Sequence, residues 1–430
     1  MGDSQKPTAN SRASKLPGVE NYEPTTLIIG GGIAGLTCAE KLSKEKIPSI
    51  LVEKEETLGG QLKRVSSFYH TEVKPWQLVE EKRDAVENNP YVTVYKKTTV
   101  DNVKGRAGDF ISDIEGSFGK KAINVGSVVF ATGNDFILHD SLNLEYPGRA
   151  ITMMELEEKL DELRNTSKKL SIAMIVEEDD FVVGPGVALK NAYMLKKAGH
   201  DVYYFYDEIK VNEEYLEDLY RKCEREGIFF VRVASKTVDF RDDKFILNYT
   251  DSFSFSNVRD FTLKSDYVVF NEGFVPTRDT KSLADRLKVN RCKYTEFLQE
   301  DNYHLLPVKT SKLGVYAVGA CRKPDFLWNI ISEAEAAAEM IYRTLLTYKD
   351  WIEKRPFILG PQECVTCLTC LRICPWDAVY MDPKGGQCRI HRPACEGCGI
   401  CVAECPNYAI KYPDGLNIRE QIGPEGREQL

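Results

Sequence analysis

The sequence predicts an α/β fold with two Rossmann-like units, followed by a small α+β domain that is rich in cysteine. Three observations support this fold class. Glycines in the G-x-G-x-x-G spacing join a strand to a helix near the start of the chain, and a second strand–helix–strand unit follows in the middle. Two runs of four cysteines lie near the end. The first feature predicts a dinucleotide site, and the last predicts metal chemistry.

Length and composition limit the classes of function. The chain has 430 residues, of which 43% are hydrophobic, so it can form two to four domains with substantial cores. Its net charge is −8 and it has no long basic run, which argues against a nucleic-acid partner. The longest apolar stretches have the length of strands, so we expect no membrane span. Residues 1–22 are polar without an apolar h-region, which predicts a flexible tail and not a signal peptide. Nine of the thirteen cysteines lie between Cys364 and Cys405 at metal-ligand spacing, which predicts a reducing, cytoplasmic location.

The first unit begins with a short apolar strand, Thr25–Ile29, that ends at the glycines. A helix follows over Ala34–Lys44, with Leu36, Ala39 and Leu42 spaced for one buried face. The second strand, Ile50–Val52, ends in Glu53, about 20 residues beyond the glycines. An acid at this position accepts hydrogen bonds from a ribose in dinucleotide-binding units.

Each glycine of the turn has a separate physical role. Gly30 permits a tight turn, Gly32 lets a pyrophosphate approach the backbone, and Gly35 lets the helix pack on the strand. The phosphates would then lie on the free N–H groups of the first helical turn, at Ile33 and Ala34. The alternative is a glycine-rich turn in an ordinary α/β sheet.

Two further features favour FAD over NAD. Gly59-Gly60-Gln61 follows Glu53 closely, and residues 128–133 read VVFATG, a strand ending in a second turn of small residues. Both resemble the two-dinucleotide-binding-domain flavoprotein pattern, in which the ATG turn packs near FAD. We expect one non-covalent FAD. Its predicted contacts are Gly30, Gly32, Ile33, Ala34, Gly35, Glu53, Lys54, Gly60, Gln61, Val100, Ala131, Thr132, Gly133, Gly319 and Ala320.

Val100 enters this set through the flavoprotein pattern, because a strand there brings backbone near the adenine. Tyr91–Val103 alternates as a strand does, and Asp109–Glu115 is a candidate neighbour. A plain β-meander explains the alternation equally well.

The middle of the chain predicts a second strand–helix–strand unit. A helix over Met153–Asn165 precedes a strand, Leu170–Val176, and Gly184-Pro-Gly186 then precedes a helix over Val187–Ala198. This unit resembles the nicotinamide domain of two-domain flavin reductases. Four acids, Glu177 to Asp180, lie between strand and glycines and would repel a pyrophosphate. We therefore expect weak or absent NAD(P)H binding.

A final strand and helix return the chain to the flavin. Residues 314–320 read GVYAVGA, and a helix is predicted over Ile330–Thr344. The start of this helix would direct its dipole at the flavin ring and stabilise the anionic reduced form. Its alanine-rich face also suits simple close packing, and both interpretations stay open. Cys321 has no partner cysteine near it in sequence, which gives little support to a redox role.

The cysteine runs form an internal repeat. Each has the spacing C-x2-C-x2-C-x3-C-P of a bacterial two-cluster ferredoxin, in which the fourth cysteine ligates the other cluster. One predicted [4Fe–4S] ligand set is therefore Cys364, Cys367, Cys370 and Cys405, and the other is Cys395, Cys398, Cys401 and Cys374. Zinc is the alternative, since C-x2-C pairs also bind zinc. Cys388 lies outside both runs.

Together these features resemble the family of A-type subunits of heterodisulfide reductase. The resemblance covers residues 25–412, and it is most specific at LKNAYMLKKAGHDVYYFYDEI, at YLEDLYRKCEREGIFFVRV and at GVYAVGACRKPDF. Full-length members carry cysteines for an additional cluster just before the middle helix. This chain has Val183-Gly-Pro-Gly186-Val there, so the resemblance implies a short form without that cluster and does not extend to electron bifurcation.

The resemblance implies an electron-transfer flavoprotein subunit that exchanges electrons between FAD and two [4Fe–4S] clusters. Its implied partners are cluster-bearing subunits of the B and C type, with a hydrogenase- or dehydrogenase-linked module, and a membrane-associated complex also stays open. No residue stands out as a catalytic acid, base or nucleophile. The alternatives are a stand-alone NAD(P)H:acceptor oxidoreductase of the glutamate synthase small-subunit type and a non-catalytic assembly subunit.

The expected domain organisation follows from these assignments. The FAD domain is discontinuous, the nicotinamide-domain-like unit lies between its two parts, and polar tails lie at both ends. The predicted ranges are 1–22 for the tail, 23–148 and 295–352 for the FAD domain, 149–294 for the middle domain, 356–415 for the ferredoxin domain and 416–430 for the second tail.

Overall fold

The structure is a computed structural model that describes residues 23–68, 73–137, 148–176, 181, 183–211, 214–251, 260–301, 306–360, 362–383 and 386–413. The helices are α1 Ile33–Lys44, α2 Pro75–Glu87, α3 Met153–Asn165, α4 Val183–Lys197, α5 Glu214–Arg225, α6 Arg278–Leu287, α7 Leu327–Glu353, α8 Thr369–Ile373 and α9 Ile400–Ala403. The strands are β1 Thr26–Ile29, β2 Ser49–Val52, β3 Val92–Tyr95, β4 Thr99–Arg106, β5 Asp109–Gly116, β6 Gly119–Val125, β7 Ser127–Phe130, β8 Asn134–Ile137, β9 Ala150–Thr152, β10 Ser171–Val176, β11 Asp201–Tyr206, β12 Phe229–Arg241, β13 Lys244–Asp251, β14 Asp260–Ser265, β15 Tyr267–Phe270, β16 Gly273–Pro276, β17 Glu300–Asp301, β18 Leu306–Thr310, β19 Val315–Ala317, β20 Phe357–Ile358, β21 Val379–Met381, β22 Cys388–Ile390 and β23 Ile410–Lys411.

The first unit is built on a sheet in the order β17-β18-β19-β7-β1-β2-β3. Its five strands from β19 to β3 are parallel, and β18 and β17 extend it in antiparallel pairing. Every residue of β1, β2 and β7 is buried. Both faces of the sheet are covered, which explains why these strands are continuous apolar runs in the sequence.

Helices α1 and α7 cover one face of this sheet. The predicted buried face of α1 is confirmed, because Leu36, Ala39 and Leu42 are fully buried. They pack in one core with Ala334 and Ala337 of α7. The small side chains of α7 let it approach α1 closely, so close packing accounts for the alanine-rich face.

The other face is covered by the three-stranded sheet β4-β5-β6 and by α6. Val103, Phe110 and Leu283 pack with β1 and β7 in one buried core. Helix α6 lies within 149–294, the range predicted for the middle domain. The buried side chains of α6 nevertheless belong to the core of the first unit, so the helix packs against the first unit and not against the middle unit.

The middle unit has a second sheet in the order β14-β13-β12-β11-β10-β15-β9. Strands β9, β15, β10, β11 and the start of β12 are parallel, and helices α3, α4 and α5 pack on one face. The end of β12 pairs antiparallel with β13 after a register shift at Val233 and Ser235. The chain crosses between the two units at β8 and β16, which pair antiparallel beside one another.

Three predicted elements have different bounds in the structure. The predicted strand Tyr91–Val103 is two strands, β3 and β4, separated at Lys97, whose φ is +49°. The helix predicted over Val187–Ala198 begins at Val183, so Gly184 and Gly186 lie inside its first turns. The helix predicted over Ile330–Thr344 extends over the whole of α7. The acidic segment 177–180 lies outside the described residues.

The C-terminal unit repeats its local geometry in two halves. Short helices α8 and α9 begin after Leu368 and Gly399, and both of these preceding residues have left-handed backbone, with φ +62° and +78°. Asp377 and Tyr408 occupy equivalent positions with φ +52° and +53°. The internal repeat of the cysteine runs is therefore also a repeat of backbone conformation. Strands β20 and β23 pair, as do β21 and β22.

A membrane-spanning segment was not expected. Among the described helices, none is both long enough and apolar enough to cross a bilayer.

Candidate functional site

Side chains have no space at two of the three glycines that form the G-x-G-x-x-G motif. Gly30 has φ +109°, and a Cβ atom there would lie 2.3 Å from the carbonyl oxygen of Ala131. A Cβ atom at Gly35 would lie 1.9 Å from the carbonyl oxygen of Gly30. Both glycines are needed so that α1 can pack against the sheet.

Gly32 has different surroundings. A Cβ atom there would meet only the Cα atom of Gly60, 3.9 Å away, so the backbone of Gly32 faces open space. Gly32 is also the N-cap of α1, and its carbonyl oxygen accepts the Leu36 N–H at 2.9 Å. The N–H groups of the first helical turn have no partner within a helix, so this end favours an anion.

A cavity of about 730 Å³ begins at this turn and extends to the middle unit. That volume is typical of a small-molecule or cofactor site. The predicted FAD contacts that line it are Gly30, Gly32, Ile33, Ala34, Glu53, Lys54, Gly60, Gln61, Val100, Ala131, Thr132, Gly133 and Ala320.

The two remaining predicted contacts, Gly35 and Gly319, are not among the lining residues. Gly35 packs α1 against the turn. A Cβ atom at Gly319, whose φ is +71°, would lie 3.0 Å from the Cβ atom of Ala34. Both glycines therefore allow close packing behind the cavity wall and do not line the cavity themselves.

Glu53 lies at the carboxyl end of β2, on the cavity wall, with 7% of its surface exposed. Its Oε2 accepts the N–H of Gly31 at 2.7 Å, and its Oε1 accepts the N–H of Glu55 at 2.8 Å. Each carboxylate oxygen has a second lone pair, so Glu53 can still accept hydrogen bonds from a ribose. The two backbone bonds hold its carboxylate in place.

Gln61 joins the second predicted turn to the chain beyond the ATG turn. Its side-chain Nε2 donates to the carbonyl oxygen of Asn134 at 2.7 Å. Thr132 is fixed by a hydrogen bond between its hydroxyl and that of Thr280 in α6. These contacts keep three separate segments in register around the cavity. The residues fit FAD, because an open glycine, a helix N-terminus and a buried acid lie along one continuous wall.

A buried ion pair on the cavity wall was not predicted from the sequence. The Nζ of Lys190 in α4 pairs with Oε1 of Glu157 in α3, and both side chains are less than one-tenth exposed. Lys190 also donates to the carbonyl oxygen of Ser67 at 3.0 Å. Oε2 of Glu157 accepts from the N–H and the hydroxyl of Ser66, at 3.1 and 3.0 Å. The pair therefore ties the middle unit to the first.

Burial lowers the pKa of Lys190 below its usual range, and the Glu157 carboxylate opposes that shift. In a buried site the charged ammonium is favoured only while its carboxylate partner is present. The pair places one positive and one negative charge beside the cavity. Nothing in the local sequence distinguishes Lys190 from a surface lysine of an amphipathic helix.

Cys321 lies within the core behind the cavity. Its thiol is fully buried and donates to the carbonyl oxygens of Phe130 and Val318, both at 3.3 Å. Burial raises the pKa of this thiol to about 11. It is therefore a packed, protonated side chain, in keeping with the absence of a partner cysteine nearby in sequence.

Gly186, in the first turns of α4, lines the large cavity, but side chains lie close to its Cα atom. A Cβ atom at Gly186 would lie 3.1 Å from Leu216 of α5 and 3.1 Å from the ring of Phe326. Phe326 is the N-cap of α7 and also makes an edge-on contact with Tyr215 at 5.3 Å. Gly186 therefore lets side chains from α5 and the first unit pack closely against α4.

The cysteines of the second predicted ligand set lie together. Cys374, Cys395, Cys398 and Cys401 line one small cavity, although Cys374 belongs to the first run of the sequence. The Sγ atom of Cys374 accepts the N–H of Ala378 at 3.3 Å. Four soft sulfur donors around one cavity fit an iron–sulfur cluster.

The first predicted set repeats part of this arrangement. The Sγ atom of Cys405 accepts the N–H of Ala409 at 3.3 Å, as Cys374 does with Ala378. Cys364, Cys370 and Cys405 belong to one core cluster with the buried Cys388, and this cluster also contains Cys374 and Cys401 of the second set. Cys367 is exposed. Among the described residues, no three His, Cys, Asp or Glu side chains form a site for a single metal ion.

Two family models match the chain. Residues 24–340 match the pyridine nucleotide-disulphide oxidoreductase model, and residues 357–406 match a 4Fe-4S dicluster domain. The chain belongs to the pyridine nucleotide-disulphide oxidoreductase family. The predicted fold class is thereby confirmed, as is an FAD- and iron–sulfur-dependent oxidoreductase.

Relatives among characterised proteins confirm the resemblance to the A-type subunits of heterodisulfide reductase. The A-type component of a CoB–CoM heterodisulfide reductase from Methanosarcina acetivorans is 22% identical, with 87% of this chain and 59% of that protein covered. An A-type iron–sulfur component of the Methanopyrus kandleri enzyme is 24% identical, with 88% and 73% covered. The chain thus spans about three-fifths of the length of the first of these relatives.

Solved structures show the fold of the first two units. Thioredoxin reductase from T. acidophilum superposes with a TM-score of 0.56 at 16% identity, covering 75% of this chain and all of that one. The enzyme from Lactococcus lactis gives 0.54 at 18% identity, covering 76% and 99%. At this identity the likeness extends to the fold alone.

Proposed function

We propose that this chain is an electron-transfer flavoprotein subunit of a cytoplasmic, heterodisulfide-reductase-like redox complex. FAD exchanges electron pairs, and two [4Fe–4S] clusters carry single electrons to or from a partner subunit. The observation that carries this proposal is the union, in one chain, of a cavity that fits a flavin with a 4Fe-4S dicluster domain. The relatives named as A-type subunits of heterodisulfide reductases support a role within a complex.

The residues of the first unit would bind and orient FAD. The open backbone at Gly32 and the start of α1 would receive the pyrophosphate, and Glu53 would accept a hydrogen bond from the ribose. Val100 borders the part of the cavity assigned to the adenine, and Ala131 and Ala320 border the part assigned to the flavin ring. In this proposal, the contribution of the protein is to bind FAD and to exclude water from it.

The crossed ligand sets are a separate part of the proposal. Cys364, Cys367, Cys370 and Cys405 would hold one cluster, and Cys395, Cys398, Cys401 and Cys374 the other. The shared cavity of the second set supports this assignment. We expect about eight irons per chain. In Cys374→Ser, spectroscopy should show damage to the cluster of Cys395, Cys398 and Cys401, and loss of the local cluster instead would contradict the crossed ligation.

The exposed side of the ferredoxin unit would contact the partner. Cys367 is exposed, and 60% of the neighbouring Val365 is exposed. Subunits of the heterodisulfide reductase B and C type, or a hydrogenase- or dehydrogenase-linked module, are the partners that the relatives suggest. Purification from the native host should identify the co-purifying subunits.

The partner surface can be tested on the complete chain. Val365→Glu should leave the flavin and iron content unchanged and slow electron transfer to the co-purifying subunit, because an added charge would oppose docking. Tyr294→Glu is the matched control, since Tyr294 is 89% exposed and lies outside the ferredoxin unit. Equal transfer rates in both variants would refute this docking surface.

A further inference from the structure

The two cysteine sets differ in what surrounds them. The second ligand set is joined to the first unit by contacts at two places, one beside Cys395 and one beside Cys374. Lys309 of β18 pairs with Glu396 at 3.2 Å, with both side chains less than one-fifth exposed, and Nε of Arg106 in β4 donates to the carbonyl oxygen of Asp377 at 2.5 Å. Asp377 follows Cys374 by three residues, and Glu396 follows Cys395 directly. The second set is therefore the one held against the flavin unit.

Arg355, just beyond the end of α7, lies against this second set. A Cβ atom at Gly397 would be only 2.5 Å from Nη1 of Arg355, so the guanidinium lies directly on the backbone between Cys395 and Cys398. The Gly397 N–H donates to the sulfur of Cys395 at 3.4 Å. Cys395 and Cys398 are both among the side chains that act electrostatically on Arg355.

The carboxylate of Glu396 is shared between two cations. It pairs with Lys309, and it also acts electrostatically on Arg355, whose guanidinium is always protonated. Lys309 and Arg355 thus place two positive charges beside the cysteines of the second set. Because the site is partly buried, these charges are screened less than surface charges would be.

The first set has a weaker counterpart. Nη2 of Arg372 donates to the carbonyl oxygen of Cys367 at 2.9 Å, but this side chain is exposed to solvent. Solvent screening reduces the effect of such a charge. The two sets therefore differ in the solvent exposure of the arginine beside them, because Arg372 is exposed and Arg355 is partly buried.

Resting on the ligand sets of the proposed function, we propose that Arg355 raises the reduction potential of the cluster held by Cys374, Cys395, Cys398 and Cys401. A cluster gains one negative charge when it accepts one electron, and a nearby positive charge stabilises that reduced form. The positive charge of Arg355 thus makes the cluster beside the flavin unit easier to reduce than it would be without that side chain.

The test is a redox titration of the anaerobic holoprotein, followed by electron paramagnetic resonance. The signal that changes in Cys398→Ser identifies the second cluster. In Arg355→Gln the reduction equilibrium of that cluster should shift by about tenfold toward the oxidised form, about 59 mV for a one-electron couple. Arg355→Lys should retain most of the wild-type potential, and Arg372→Gln should leave the second cluster unchanged.

Glu396→Gln supplies a test of opposite sign. Removing its negative charge should raise the reduction potential of the same cluster. If Arg355→Gln fails to assemble that cluster, the potential measured in Glu396→Gln tests whether nearby charge sets it. No shift in the second cluster, or a shift confined to the first, would overturn the role of Arg355. An iron content well below about eight per chain would instead contradict the proposed function, so the two failures are distinguishable.

Discussion

The glycines of the helices that follow the equivalent strands β1 and β10 have different surroundings. At Gly32 the space beside the backbone is open and leads into the large cavity. At Gly186 it is taken by Leu216 and Phe326. The start of α4 lines the same cavity as Gly32, so the two sites differ in the space beside the glycine. Gly32 leaves room beside its backbone, and Gly186 lets Leu216 and Phe326 pack closely against α4.

The largest expected effect comes from Gly32→Val. Gly32 has φ −72°, which any residue can adopt, and its neighbourhood has room for a side chain in the absence of a ligand. The variant should therefore fold, whereas valine would occupy the path of the pyrophosphate and abolish flavin binding. Circular dichroism tests whether the variant folds, and flavin absorbance per chain tests whether it binds FAD. Full flavin occupancy would refute the FAD assignment.

Breaking the ion pair between the units should have the next largest effect. Lys190→Met leaves the Glu157 carboxylate buried without its partner, which costs about 3–5 kcal/mol in comparable proteins. In the double variant with Glu157→Gln no unpaired charge remains, so the free energy of unfolding should partly recover. Denaturant titration of both variants measures the difference. A single variant as stable as the double one would show that the pair is not buried as described.

Gly186→Ala tests the close packing of side chains against Gly186 in the middle unit. An added methyl group at 3.1 Å from Leu216 and Phe326 requires both side chains to shift by a few tenths of an ångström, and overpacking costs about 1–3 kcal/mol. The better helix propensity of alanine offsets about 1 kcal/mol of that cost, so we expect a small net loss of stability. Flavin content should stay at the wild-type value. Loss of flavin without loss of stability would mean that the second turn also serves a ligand.

The smallest expected effect is on nicotinamide nucleotides. Gly186 is covered by side chains, and the acids at 177–180 place negative charge between strand and glycines in the sequence. We predict that calorimetry of the holoprotein with NADH or NADPH gives weak or no binding. A micromolar dissociation constant would favour the stand-alone reductase alternative.

Local sequence patterns predicted the parts of the site that depend on local geometry. The spacing of Gly30, Gly32 and Gly35 predicted a tight turn between a strand and a helix, and the structure has this turn between β1 and α1. The ion pair of Lys190 and Glu157 could not be predicted, because the two residues are 33 positions apart on different helices and each suits a solvated face. The packing of Phe326 against Gly186 could not be predicted either, because Phe326 is remote in sequence and only tertiary packing brings the two residues together.

The most direct test of the central claim is an anaerobic reductive titration of the purified holoprotein. Flavin absorbance and the resonance signals of the clusters would be followed together. The proposed function predicts that about four electrons enter each chain, two at FAD and one at each of two clusters. Uptake of only two electrons, with clusters that stay oxidised, would contradict an electron-transfer role and support the assembly-protein alternative.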